Sequence, residues 1–364
     1  MRILHVYKDV YPPVHGGIER YIHDTVASMA ARGHESTILV ASRRPSTRIR
    51  RYRTEGSLVV EAPCMGRPFS NPVCPGLASI LRRLHSEMRF DLVHYHHPLP
   101  TAAVSWAFAR LDAPYIVTYH SDIVRQSLLV PLIEPFLWPF LRGARAVLAT
   151  SPAYAESSRF LSGLSNVRVV PLGVDTRKFC PGPRDEGGGY FLFVGRFRRY
   201  KGIPVLLEAW RGLPGRRLVM VGSGPLSKLI VDEASNSGSL IEPAGDVTDD
   251  RLVELYRGAR ALILPSTERS EAFGLVQLEA MSCGTPVIST DIATGVPWVN
   301  RNGESGLVIR RGSPDAIREA VEKLEDDPFR DSLSAGARSR ALEHFEVERT
   351  MDELERICRD AAGI

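Results

Sequence analysis

Cysteine is scarce in this chain: Cys64, Cys74, Cys180, Cys283 and Cys358 are five of 364 residues, scattered and odd in number. That argues against a disulfide scaffold or a cysteine-based zinc cluster, and predicts reduced thiols in a cytoplasm. No apolar run approaches the roughly 20 residues that a membrane-spanning helix needs. Met1-Arg2-Ile3-Leu4-His5 enters a strand pattern at once, so no signal peptide is expected. Internal repeats and low-complexity tracts are also missing. An excess of one charge is nearly absent overall, at +4, but the balance is uneven. Residues 1–172 hold 20 Lys+Arg against 12 Asp+Glu, a net +8, and residues 173–364 hold 26 against 30, a net −4. A basic first half points to an anionic partner: a phospholipid surface, a lipid-diphosphate or nucleic acid. Nucleic acid ranks last, because no nucleic-acid motif occurs and aromatics are rarely interleaved with the basic residues.

What is present reads as two globular α/β domains. The hydrophobic fraction is 44% with 24% charged residues, and 364 residues suit two cores better than one. The stretch with most chemistry runs from Ser266 to Ile288, between two buried-strand runs, Ala261–Pro265 and Pro286–Ile288. A loop there predicts a helix of about ten residues, starting near Phe273 and stopping before Gly284. The amides of Phe273, Gly274 and Leu275 would be the unpaired donors of a helix start, where phosphate binds. Gly274 lets a ligand come close to the backbone. Glu279 would lie roughly 7 Å along the helix, about the distance from a diphosphate to a ribose. A carboxylate suits a vicinal diol, and Glu271, before the amides, is placed to hold sugar hydroxyls. Two glutamates flanking an ordinary amphipathic helix is the plainer alternative.

The run Glu271-Ala-Phe-Gly-Leu-Val-Gln-Leu-Glu279-Ala-Met resembles the E-x7-E signature of retaining glycosyltransferases of family 4, and the resemblance extends over nearly the whole chain. It implies the GT-B fold: two Rossmann-like domains facing a central cleft. The expected boundaries are an acceptor-binding domain at 1–172, rejoined by 346–364 crossing back, a linker at 173–189 and a nucleotide-sugar domain at 190–345. Gly195-Arg196-Phe197-Arg198-Arg199-Tyr200-Lys201-Gly202 matches the family's G-R-x-x-x-x-K-G. It implies that Arg196 and Lys201 offset the charge of the leaving diphosphate. No Asp-x-Asp pair occurs, so no metal or other cofactor is expected. Gly222-Ser223-Gly224-Pro225 matches G-x-G-P, and backbone around Val247 is where the family reads the base. Gly16 and Gly17, just before a helix, would face the diphosphate. His120, with Asp122, stands where the family has a histidine that contacts the donor sugar. Leu172-Gly173-Val174-Asp175 resembles the hinge motif N-G-V-D-x-x-x-F, with Leu172 in place of Asn.

Other features leave alternatives open. Arg43, Arg44, Arg48, Arg50, Arg51 and Arg53, six arginines in eleven residues, read as a loop. It is either simply solvated or a contact for anionic lipid or a phosphate-bearing acceptor. Leu128–Leu141 is nearly all apolar and either packs in the core or rests at a membrane interface. His94, His96 and His97 suggest a metal at first sight, but no carboxylate or cysteine completes a set nearby, and they read as a structural or cleft-lining turn. Thr294-Gly295-Val296-Pro297-Trp298-Val299-Asn300 resembles O-antigen and exopolysaccharide mannosyl- or rhamnosyltransferases. A GDP-linked mannose or deoxyhexose therefore leads, with UDP-linked hexoses behind, and a polyprenyl-diphosphate-linked saccharide or other glycan as acceptor. The implied enzyme is a retaining, metal-independent hexosyltransferase of surface polysaccharide synthesis, cytoplasmic and peripheral on the inner membrane face. Two rivals share the fold: a nucleotide-sugar 2-epimerase, and a non-catalytic nucleotide-sugar-binding subunit.

Overall fold

The computed structural model describes residues 1–14, 16–54, 56–68, 71–123, 130–183, 189–236 and 240–364. His15 of the first glycine loop, Leu128 and Leu129 of the apolar run, and residues 184–188 of the expected linker lie outside them. The chain forms two compact units, residues 1–171 with 351–364, and residues 172–350.

The first unit is built on strands β1 (Arg2–Val6), β2 (Glu35–Ala41), β3 (Arg50–Thr54), β4 (Ser57–Ala62), β5 (Leu92–His97), β6 (Tyr115–Tyr119), β7 (Ala146–Ala149) and β8 (Val167–Val169). They form one sheet in the order β3-β4-β2-β1-β5-β6-β7-β8, parallel except for the β3–β4 hairpin. Helices α1 (Gly17–Ala31), α2 (Leu77–Met88), α3 (Pro100–Ala109), α4 (Val130–Gly143) and α5 (Pro152–Ser157) belong to it. Its central strands are buried along their length, as in parallel sheets covered on both faces. The second unit has β9 (Tyr190–Val194), β10 (Leu218–Val221), β11 (Ile241–Gly245), β12 (Ala259–Leu264), β13 (Val287–Thr290) and β14 (Gly306–Ile309), in the order β11-β10-β9-β12-β13-β14. Its helices are α6 (Ile203–Arg211), α7 (Ser227–Ala234), α8 (Asp249–Gly258), α9 (Leu275–Ser282), α10 (Val296–Val299), α11 (Pro314–Lys323) and α12 (Asp327–His344). A last helix, α13 (Val347–Ala362), begins in the second unit and belongs to the first from Met351 onward. There Asp352 pairs with Arg32 at 3.0 Å and Glu355 with His34 at 2.9 Å.

Two expectations are corrected. The arginine run is a loop only as far as Ile49; Arg50, Arg51 and Arg53 lie on β3, the edge strand of the sheet. An edge exposes unpaired backbone groups, and a charged edge strand discourages pairing with another chain. All six arginines are exposed, and only Arg50 and Arg51 have ion-pair partners among the described residues: Glu61 at 3.4 Å and Glu87 at 2.6 Å. The second correction concerns His94, His96 and His97, which are buried within β5 and do not form a turn. In the apolar run, α4 buries Val130, Leu137, Phe140 and Leu141 and leaves Leu132 exposed. No helix among the described residues is long and apolar enough to cross a membrane.

Candidate functional site

In a doubly wound sheet, the ligand crevice opens beyond the strand C-termini where the strand order reverses. In the second unit the chain goes from β9 outward to β10 and β11, then returns to β12 on the other side of β9. The reversal falls between β9 and β12. Lys201 lies in the loop after β9 and Glu271 in the loop after β12, and the two meet in an ion pair. Ser266 Oγ donates to the same carboxylate at 3.2 Å. Both members of the pair are buried. Burial alone would lower the Lys201 pKa, but the charge of Glu271, with Tyr200 and the hydrogen bond to Glu271, outweighs it, and the net shift is upward. Lys201 therefore stays a cation in a buried place, with donors beyond the one Glu271 uses.

Neighbouring loops are joined backbone to backbone. The Gly195 amide donates to Val221 O at 3.0 Å, Phe197 to Ser223 O at 2.9 Å, and Gly222 to Gly245 O at 2.8 Å. Gly222 has φ +127°, and a Cβ there would lie 2.2 Å from the Gly195 oxygen, so only glycine lets these loops close. Gly224 is packed on Phe197 in the same way, while Pro225 is exposed and Val247 half-buried just before α8. Arg196 projects from this platform, exposed and without an ion pair among the described residues.

Helix α9 starts at Leu275 rather than Phe273 and has eight residues rather than about ten. Gly274 is the reason: its φ of 77° is left-handed, which ends the helix on that side. The amides of Phe273, Gly274 and Leu275 still donate to no acceptor among the described residues, and they sit beside the Lys201–Glu271 pair in sequence. At the other end Gly284, φ 78°, closes a Schellman turn through Thr285 N to Ala280 O at 2.9 Å. Glu279 is the fifth residue of α9, and the buried Tyr256 hydroxyl donates to it at 2.7 Å. Burial and then the Glu279 charge push the Tyr256 pKa well up, so it remains a donor that orients the carboxylate. The stretch Thr294–Asn300 supports the Glu271 loop. The Gly295 amide donates to Ala272 O at 2.8 Å, and Arg340 holds the carbonyls of Trp298 and Val299 at 2.7 and 2.8 Å.

The first unit reverses between β1 and β5. The parallel register pairs His5 with His94 and His96 with Thr118. Period-two alternation then puts His5, His94, His96, Thr118 and His120 on one face. There His5 Nδ1 lies 3.2 Å from His96 Nε2, and His96 Nδ1 lies 3.2 Å from His120 Nε2. His94 Nε2 bonds Thr118 Oγ1 at 2.6 Å, and the edge of Tyr21 meets His120. Burial pushes these histidines down, His5 to about 4 and His120 to about 3, so they are neutral imidazoles. His120 is thus joined to His96. Asp122 takes hydrogen bonds from Tyr119 and Ser158, at 3.0 and 2.6 Å. Gly16 caps α1 and Gly17 begins it; the buried Glu19 folds its carboxylate into the space a Gly16 side chain would fill. That puts an acceptor beside the amides expected to face a diphosphate. Sequence reading passed over His5, Ser266, Tyr256 and Glu19. Only His5 left a signal, a lone histidine in an otherwise apolar strand.

Comparison with known proteins agrees over the whole length. Residues 15–178 match the family Glycosyltransferase Family 4, and residues 175–340 match Glycosyl transferases group 1. The chain is 33% identical to the O-antigen chain mannosyltransferase C of Escherichia coli, over 97% of this chain and 96% of that protein. It is also 33% identical to the D-rhamnosyltransferase WbpZ of Pseudomonas aeruginosa, over 90% and 87%. Among solved structures it is similar to sucrose-phosphate synthase from Thermosynechococcus elongatus, with a TM-score of 0.82 at 22% identity, covering 99% of this chain and 98% of that one. It is similar, too, to Anabaena Alr3699/HepE in complex with UDP-glucose, with a TM-score of 0.78 at 18% identity, covering both chains in full.

Proposed function

The chain belongs to the family 4 glycosyltransferases and has their GT-B fold, and from that premise we propose that it transfers a hexose from a nucleotide diphosphate donor with retention at the anomeric carbon. Mannose or a deoxyhexose on GDP is the favoured donor, because the two relatives named above are a mannosyl- and a rhamnosyltransferase. UDP-linked hexoses come next. The acceptor is a glycan or a polyprenyl-diphosphate-linked saccharide, reached at the inner face of the membrane; the basic first half supports that reading.

The observation that carries the proposal is the buried Lys201–Glu271 pair at the sheet reversal, next in sequence to the free amides that start α9. The diphosphate rests on those amides, and Glu279, steadied by Tyr256, takes the ribose hydroxyls. As the sugar–phosphate bond breaks, negative charge grows on the leaving oxygen, and Lys201 and Arg196 stabilise it where a divalent ion would otherwise be needed. Glu271 orients sugar hydroxyls and keeps Lys201 charged. The departing phosphate takes the acceptor proton on the face it leaves, so no carboxylate nucleophile is required.

Purified protein incubated with GDP-mannose, GDP-rhamnose and UDP-glucose, with lipid-linked acceptor and EDTA, tests this. Product with the donor's anomeric configuration is expected, and EDTA leaves the rate unchanged. Epimerised donor without acceptor, or binding without turnover, overturns it.

A further inference from the structure

The first unit carries a line of imidazoles of which only His120 has a place in the sugar-transfer reading. His5, His96 and His120 form a continuous hydrogen-bonded chain, with both links at 3.2 Å. Each link needs one protonated and one bare nitrogen. All three rings are neutral, so the chain has two self-consistent states, running in opposite directions. In one, His5 Nδ1–H donates to His96, and His96 Nδ1–H donates to His120 Nε2. In the other every proton moves across, and His5 ends the chain with an N–H at Nε2.

The ends decide between them. His5 is 0% exposed and its Nε2 has no partner among the described residues. A buried donor with nothing to donate to is the rarer and costlier defect; a bare lone pair there is better tolerated. His120, 6% exposed and just beyond the C-terminus of β6, is the only end that reaches the surface. We propose that this chain locks His120 in one tautomer, with Nε2 accepting from His96 and the proton on Nδ1. His5 and His96 are then positioning residues, and His120 is presented to its ligand as a fixed donor toward a sugar hydroxyl or phosphate oxygen. The ligand part of this rests on the reading of His120 as a donor-sugar contact; the tautomer does not.

The same nitrogens suggest a metal centre, since ligand atoms of His5, His94 and His96 lie within 4.8 Å of one another. Their geometry opposes it. His94 and His96 stack with centroids 4.2 Å apart and planes 29° apart, whereas His5 and His96, with planes 17° apart, meet edge to edge through the 3.2 Å hydrogen bond that already uses both facing nitrogens. Imidazole lone pairs lie in the ring plane, so stacked rings aim them side by side rather than at one point. The group also contains no carboxylate or thiolate to offset a buried dication.

The test uses the full chain with 15N-labelled histidine and long-range proton–nitrogen spectra, which report which ring nitrogen carries the proton. Wild type is expected to show His96 and His120 both protonated at Nδ1. His96→Phe keeps an aromatic ring but removes the donor that faces His120 Nε2, and His120 becomes a mixture of tautomers; His96→Asn supplies an amide donor near the same place and restores the single form. Under saturating donor, His96→Phe lowers kcat about tenfold, the worth of one misdirected hydrogen bond, with KM little changed, and His96→Asn stays within about twofold. A wild-type spectrum with the His120 proton on Nε2 overturns the proposal, and it needs no variant to fold. So does equimolar Zn2+ shifting His5, His94 and His96 together. A single Nδ1–H form in the wild type with unchanged turnover in His96→Phe upholds the chain and removes His120 from the sugar-contact reading instead.

Discussion

Both units reverse their strand order at a similar place, and they fill it with opposite chemistry. The first puts neutral histidines there: nine of the ten histidines in the chain lie in residues 1–171, and His5, His94, His96, His97 and His120 are buried. The second puts charge there, the buried Lys201–Glu271 pair, and its single histidine, His344, is exposed. A neutral cluster can orient a ligand by hydrogen bonds but cannot balance a diphosphate. A buried cation held by a carboxylate can balance one, while losing either partner leaves the other charge stranded. On the proposed function, the phosphate chemistry belongs to the second unit.

The largest break in that contrast is Lys201→Ala. It removes the cation and leaves Glu271 buried without it, so kcat should fall about 10²–10³-fold and stability by about 3 kcal/mol. Steady-state rates with chemical denaturation check both. Arg196→Ala should cost about 10²-fold in kcat yet leave the unfolding midpoint in place, because Arg196 is exposed and unpaired among the described residues. A parallel loss of stability would mean that it supports the fold rather than the leaving group.

Acid separates the units next. The buried histidines of the first unit resist protonation when folded, His5 down to about 4 and His97 to about 3, but accept protons near 6.5 when unfolded. The unfolded state therefore binds more protons, and stability falls as pH drops from about 6.5 toward 4, by up to about 1.4 kcal/mol per pH unit for each histidine. Hydrogen exchange on the whole chain should show β1, β5 and β6 losing protection in that window while β9 and β12 keep theirs. Equal loss in both units contradicts the contrast. The smallest effect is Gly274→Ala: with φ 77° and a Cβ landing 2.7 Å from Leu264, it should cost about 1–2 kcal/mol and weaken GDP binding, read by calorimetry.

Much of this was legible beforehand where one signal acted alone. Ala146–Ala149, Tyr190–Val194 and Leu218–Val221 can be read as strands directly, because each is a continuous apolar run bounded by polar or glycine residues. The Arg196, Lys201, Glu271 and Glu279 pattern was visible as a local motif, and the fold brings Lys201 to Glu271 as strand order requires. What was hidden depends on pairing between distant segments. The β3–β4 hairpin went unseen because the arginines of an edge strand read as a loop. His5 gave one apolar-strand histidine, and its partners on β5 and β6 become neighbours only once β1 lies beside β5. Tyr256 is one aromatic within α8, and its bond to Glu279 spans 23 residues.

The most direct measurement is a crystal structure of the protein with GDP. The diphosphate should lie against the amides of Phe273, Gly274 and Leu275, with Lys201 and Arg196 on its oxygens and Glu279 on the ribose. A diphosphate bound away from the start of α9, or held there by a divalent ion with Lys201 and Arg196 turned aside, contradicts the account.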